Sequence, residues 1–155
     1  MLEIKNDNKK FNFRVAAIIF DNNKILLHKK KRYDFWILPG GRLEMGEDTK
    51  DGVKRELQEE LGINENLELK YIVEAFFYLE EIIYHELCFY YLTNINSIKN
   101  NINHTEEFYG LDDKNDIFKW IPLNDIDKYN LKPKFLKYKL KNIDNRLEHI
   151  VIDDR

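Results

Sequence analysis

At 155 residues with 43% hydrophobic content, the chain is the size of one ordinary domain with enough apolar material for a single core, so one domain over residues 1–155 is expected. Its formal charge of −3 mixes both signs, which argues against the continuous basic face of a dedicated nucleic-acid binder and leaves local patches for small anions. A lone cysteine, Cys88, excludes an intrachain disulfide and a thiolate zinc cluster, and no stretch approaches the ~20 apolar residues that span a bilayer, so a soluble cytoplasmic protein with no membrane partner is expected.

In chain order, the N-terminal MLEIKNDNKKFNF lacks an apolar segment of signal-peptide length. Residues 14–20 (RVAAIIF) and 24–27 are apolar and β-branched, and Asp21-Asn22-Asn23 between them is turn-forming, so they read as a hairpin. Residues 35–38 form a further short strand candidate. A helix is expected over residues 49–61, with Asp48 as N-cap, Asp51 in the first turn and Gly62 as the C-terminal stop. Gly52 costs about 1 kcal/mol relative to Ala inside this helix, which implies close backbone packing there. Residues 67–79 and 84–92, rich in Phe, Tyr and Ile, form a second strand pair with Glu80-Glu81 near the bend. Cys88, inside the run LCFYYL, reads as a packed, inert thiol. Residues 94–115 are polar and Asn-rich, and read as a long loop. A short strand over 118–121, a turn or short helix over 124–128, a helix over 134–141 after Pro133 and an edge strand over 149–152 complete the chain. There is no internal repeat and no linker.

The segment GRLEMGEDTKDGVKRELQEELGI, residues 41–63, carries the chemistry. Gly41, Glu47, Arg55, Glu56, Leu57, Glu59, Glu60, Gly62 and Ile63 stand at fixed offsets, and a chance match to this pattern in a chain of this length is about one in a million. On a helical wheel Glu56, Glu59 and Glu60 fall within an arc of about 100°, and Val53, Leu57 and Leu61 occupy the adjoining arc. Three carboxylates within one turn repel unless a cation takes up their charge. Carboxylate oxygens select Mg²⁺ or Mn²⁺ over zinc, and such an ion suits the attack of water on a diphosphate. In an arbitrary RELQEE segment the same acids would be a solvated helix face, with Arg55 and Glu59 an ordinary i, i+4 pair; the offsets of Gly41, Glu47 and Gly62 separate this chain from that case.

Those residues identify a resemblance to the Nudix (MutT-like) hydrolases, and Trp36-Ile37-Leu38-Pro39-Gly40 looks like the strand and turn that lead into the family's signature. The resemblance implies an α/β fold, an α/β/α sandwich with a mixed, curved sheet and the signature loop-helix. It implies a Mg²⁺-dependent hydrolase (Mn²⁺ as the other option) of a nucleoside diphosphate linked to another group. Carried over by position, Glu56 and Glu60 are metal ligands, Glu59 is a further ligand or the base, the Gly40 carbonyl joins the metal, and Arg55 holds Glu47. Glu44, Glu106 and Glu107 are candidates for a further acid, with loop solubility as the other reading.

The partner implied is a small-molecule nucleotide, a nucleoside triphosphate or related compound being favoured by elimination. ADP-ribose and dinucleoside polyphosphates are the other substrates, although no proline lies between Pro39 and Pro122, where ADP-ribose enzymes of the family usually carry one. Arg14 and the basic cluster His28–Arg32, Lys30 included, are candidates for phosphate contact. Trp36, Phe76, Tyr78 and Tyr84 are candidates for base stacking, with core packing as the alternative. His85 and His104 carry no motif. A non-catalytic sensor domain is the competing function, and the intact Glu56, Glu59 and Glu60 argue against it. A homodimer is left open by the hydrophobic strands.

Overall fold

The computed structural model describes residues 1–96 and 106–155. Its strands are β1 (Glu3–Asn6), β2 (Lys9–Asp21), β3 (Lys24–Lys30), β4 (Gly40–Arg42), β5 (Glu68–Leu79), β6 (Ile82–Asn94), β7 (Phe108–Tyr109), β8 (Asp116–Pro122) and β9 (Glu148–Asp153). Helix α1 (Thr49–Leu61) follows β4, and after β8 come a 3-10 turn (Leu123–Lys128) and helix α2 (Leu136–Lys141). Among the described residues no helix is long and apolar enough to cross a membrane.

The run VAAIIF in β2 is apolar on both strand faces because both faces are covered, and a strand buried on both sides does not alternate. Val15, Ala17 and Ile19 pack with Val53, Leu57 and Leu61 of α1. Ala16 and Ile18 point the other way, into a second core that includes Leu136 and Leu140 of α2 and Ile126 of the 3-10 turn. Helices therefore lie on either face of one sheet, ordered β7-β8-β3-β2-β6-β5-β9, with β1 and β4 also pairing to β2. The β2–β6 and β5–β9 ladders are parallel and the others antiparallel, so the sheet is mixed, as expected.

Several expectations need correction. The polar segment EIKN forms β1, paired antiparallel to β2 with Glu3 opposite Asn12; it borrows backbone partners and buries little, so it has no hydrophobic signature. Residues 35–38 are not a strand of the ladder. They make only the isolated bridges His28–Ile37 and Trp36–Leu131, while the strand leading into the signature is β4, opposite Arg14–Ala16. The expected 94–115 loop contains β7, which pairs with β8; residues 97–105, with His104, lie outside the described residues. Helix α2 starts at Leu136 instead of residue 134. The edge strand at the C-terminal end forms as expected and runs parallel to β5.

The bend between β5 and β6 places Glu80 at φ 50° and Glu81 at φ 66°, the left-handed conformation of a tight hairpin, which glutamate adopts at a cost of about 1–2 kcal/mol per residue. The long β5–β6 ladder imposes it. Replacing the pair by Asn-Gly (Glu80→Asn with Glu81→Gly) is expected to raise the melting temperature by about 2–4 °C per kcal/mol recovered, read by thermal denaturation; an unchanged or lower value would refute the strain.

Candidate active site

Helix α1 forms where its caps dictate. The Asp48 carboxylate accepts from the Asp51 N–H at 2.9 Å, and Gly62 at φ 68° returns its own N–H to Gln58 and Leu57 carbonyls. Thr49 Oγ1 and the Tyr91 hydroxyl, 2.6 Å apart, tie its first turn to β6. Gly52 is the close approach that its cost implied: a Cβ there would stand 2.4 Å from the Leu43 side chain. Leu43 is thereby buried under the helix, and residues 42–48 wrap back over its N-terminal half.

Arg55 organises that wrap. Its Nε donates to Glu47 Oε1 at 2.7 Å and its Nη2 to Glu47 Oε2 at 3.0 Å, a bidentate pair, and Nη2 also reaches the Arg42 carbonyl at 3.2 Å. Nη1 donates to Glu56 Oε1 at 3.0 Å and, at 3.5 Å, to Glu59 Oε2. Glu47 in turn accepts the Glu44 N–H at 2.9 Å. The Arg55 hydrogen bond lowers the pKa of Glu47, and the same bond raises that of Arg55.

The three signature acids differ in exposure as their angular positions require. Glu60 lies about 20° from Val53 on the wheel and is buried, Glu56 lies farther out, and Glu59 is farthest from the apolar arc. Their side chains are accordingly 14% exposed at Glu56 and 48% at Glu59. Burial pushes the Glu60 carboxyl up to about 9, with Glu56, Asp116 and Asp112 adding repulsion, and burial likewise raises Glu56 against the pull of Arg55. Buried Glu60 Oε2 has no hydrogen-bond partner. Gly41 makes room for the cluster: a Cβ at that position would fall 2.3 Å from the Glu56 carboxyl carbon. Gly40, at φ 154°, is pressed to the β2 backbone, where a Cβ would meet the Val15 carbonyl at 2.1 Å.

The acid brought to bear on Glu60 from β8, on the sheet face that α1 covers, is one that sequence reasoning missed. Asp116 Oδ1, 2.7 Å from His28 Nε2 and 2.7 Å from Lys30 Nζ, is buried at the start of β8. Burial alone would raise its pKa, but the His28 and Lys30 hydrogen bonds prevail and hold it low. Burial keeps His28 neutral, so its Nε2–H donates to Asp116, leaving buried Nδ1 without a partner. The Leu111 N–H donates to the Glu60 carbonyl at 2.9 Å, joining the loop before β8 to the end of α1. His28 and Asp116 are 88 positions apart, and only the β3–β8 register signals their meeting.

Other sequence candidates are scattered. Glu106 and Glu107 are exposed ahead of β7, and the Glu44 carboxylate faces the Met1 amino group at 2.5 Å. Arg14 lies in β2 beside Glu86, 3.8 Å away, and exerts an electrostatic pull on Glu56 and Glu60. Lys30 is engaged with Asp116. Trp36 is buried in the α2-side core, with Lys29 over its ring at 4.8 Å. Tyr78 is exposed at the end of β5 with Arg155 as its charged neighbour, away from the acids of α1.

A family model described as NUDIX domain matches residues 10–141. An 8-oxo-dGTP diphosphatase of Buchnera aphidicola subsp. Schizaphis graminum is 33% identical over 120 residues, covering 75% of this chain and 81% of that protein. An uncharacterized Nudix hydrolase of Bacillus subtilis is 43% identical over 47 residues, and that match spans only 30% of either protein. Among solved structures, a MutT protein from Bacillus halodurans superposes with a TM-score of 0.66 at 25% identity, covering 89% of each chain. With its acidic helix, the arginine clamp and this fold, the chain belongs to the Nudix family as a pyrophosphohydrolase acting on nucleoside diphosphate derivatives.

Proposed function

We propose that the chain hydrolyses nucleoside triphosphates, ribo or deoxy, in a Mg²⁺-dependent reaction, with Mn²⁺ as a substitute. The observation that carries this reading is the pair Glu56 and Glu60: two half-buried or buried carboxyls, one with an unpartnered oxygen, each raised by burial first and then by neighbouring carboxylates, Glu59 for Glu56 and Glu56 for Glu60. A cation of oxygen preference relieves all three penalties at once. Mg²⁺, a hard ion that takes oxygen ligands, keeps several waters and shares its coordination with substrate phosphates, suits donors of this kind. Glu56, Glu60, Glu59 and the Gly40 carbonyl are the proposed ligands. When bound, the ion screens the phosphate charge and lowers the pKa of its water.

The protein's own groups do the rest. Arg55 holds Glu47 and, through the Arg42 carbonyl, the strand β4 that carries Gly40 and Gly41, so the acidic cluster is oriented before substrate arrives. Glu59, the exposed acid, takes the proton of the attacking water, with Glu60 as the other candidate base. Arg14 offers positive charge to the phosphates from β2. On the same face the buried Asn12 Oδ1 lacks a partner and lies opposite Glu86 in the β2–β6 ladder, two acceptors suited to the amino or imino hydrogens of a base. The name of the Buchnera relative supports a purine nucleoside triphosphate among the substrates.

Incubation with Mg²⁺ and a panel of nucleoside triphosphates, ADP-ribose, dinucleoside polyphosphates and nucleotide sugars should give turnover fastest on a triphosphate. Preference for ADP-ribose would overturn the substrate, and no turnover above a Glu60→Gln control would favour a sensor. Glu56→Gln should reduce kcat by roughly a hundredfold or more with unchanged circular dichroism, and normal turnover would remove it from the ligand set.

The charge state of Glu60 makes a separate prediction. Its folded pKa, about 9, lies above the unfolded value of 4.5, so the native state binds the extra proton between those limits and stability falls as pH rises through that window. The metal-free Glu60→Gln variant should therefore melt above the wild type by about 3 °C or more at about pH 8, and Mg²⁺ should raise the wild type much more than the variant. A variant that melts lower at that pH would show that the carboxylate is not held at such cost.

A further inference from the structure

The sheet ends differently on its two sides. One end is β7, two residues long; the other is β9, six residues long, paired parallel to β5 and with no strand beyond it among the described residues. In a parallel pair, alternate residues of a strand send both backbone groups to the neighbour and the residues between them send both away. The Asp154 N–H donates to the Phe76 carbonyl at 2.8 Å while Phe76 stands opposite Asp153, so the even-numbered positions of β9 face β5. His149, Val151 and Asp153 therefore turn their N–H and C=O groups outward along an open edge.

The side chains of this edge are also left uncovered. Val151 is 60% exposed in the middle of the strand, and Leu147 is 57% exposed just before it. Ile150 and Ile152, on the opposite face, are only half-buried beside the α2-side core. Open edges in soluble proteins are commonly blunted by lysine, proline or a bulge, and EHIVID carries none of these.

The order of residues in β9 complements its own reverse. Set antiparallel to a second copy with Val151 opposite Val151, the outward backbone groups of His149 meet those of Asp153, and the Val151 groups meet their counterparts. Ile150 then lies opposite Ile152, and the His149 imidazole comes beside the Asp153 carboxylate, twice by symmetry. Glu148 falls opposite Asp154, where Lys139, 2.6 Å from Glu148, supplies the counter-charge. Centring the pair on Ile150 instead sets Glu148 against Ile152, and centring it on Ile152 sets Asp153 against Val151, so charge and apolar matching select the Val151 register.

We propose that β9 is an isologous dimer interface, joining two copies of this chain edge to edge into one continuous sheet about a two-fold axis at Val151. Glu74, 2.6 Å from His149, holds the imidazole on the sheet face where Asp153 of the second copy arrives. The interface is one strand wide, which places it among the small ones and gives a dimer in exchange with monomer at micromolar concentrations. Helix α1 packs on β2, and β6 and β5 separate β2 from β9, so association leaves the signature acids open and is independent of the reaction they carry out.

Sedimentation velocity of the full chain over a concentration series should show reversible monomer–dimer exchange. Val151→Lys, which sets like charges face to face at the two-fold axis, should weaken the dimer about a hundredfold or more with an unchanged circular dichroism spectrum. Residues opposite each other in such a pair have Cα atoms about 5.5 Å apart, within reach of a disulfide. Under mild oxidation Val151→Cys should therefore run as a covalent dimer on a non-reducing gel, whereas Asp153→Cys, which faces His149 and not its own counterpart, should not; Cys88 is buried and takes no part. A chain that stays monomeric throughout, leaving the edge to a strand of another protein, would overturn the proposal, as would a dimer indifferent to Val151→Lys or equal cross-linking of the two cysteine variants.

Discussion

The guanidinium of Arg55 is the point on which the site's geometry turns. It donates to Glu47, Glu56, Glu59 and the Arg42 carbonyl, joining the loop, the helix and the strand that carries the diglycine. A planar fork of five donors makes this possible; lysine, with a compact charge, would leave some of these acceptors unserved. Partial burial strengthens these bonds, and each partner restricts the others. The loop of residues 42–48 is thus held by charge as much as by packing.

Beneath this network, β2 connects the two halves of the molecule. One set of its side chains supports α1, and the alternate set faces α2 and carries Asn12 and Arg14. Its neighbours differ along its length: β4 pairs at residues 14–16, β3 only at the turn, and β6 throughout. The gap between β2 and β3 admits Gly40 and Gly41; the missing side chain of Gly40 lets it lie against the β2 backbone, and that of Gly41 lets the Glu56 carboxyl approach. Acidic cluster, glycine turn and basic strand converge because one strand carries contacts to all of them.

Legibility in the sequence followed the range of the interaction. Helix α1 was readable to the residue because Asp48, Gly62 and the apolar stripe act within a few positions of one another. The wheel also contained the gradient from buried Glu60 to exposed Glu59, since angular position sets which acid meets the core. Strands β5, β6 and β9 were legible from their apolar, β-branched and aromatic runs, whereas β1 and β7 were not, because short edge strands depend on a partner's backbone more than on their own side chains. Trp36 read equally as stacking platform or core residue, and only packing against Tyr129 and Lys29 resolved its surroundings.

The amino-acid sequence by itself determined the signature helix, its caps, the spacing of Arg55 and its acids, and the family they mark, because those interactions are local and their residue types admit few substitutes. Tertiary structure alone decided that Asp116 joins His28 and Lys30 beside Glu60, that glutamates occupy left-handed positions at the β5–β6 bend, and that β9 runs parallel to β5. Each of those depends on strand register or chain crossing over tens of residues, where no composition or periodicity along the chain specifies which side chains will be neighbours.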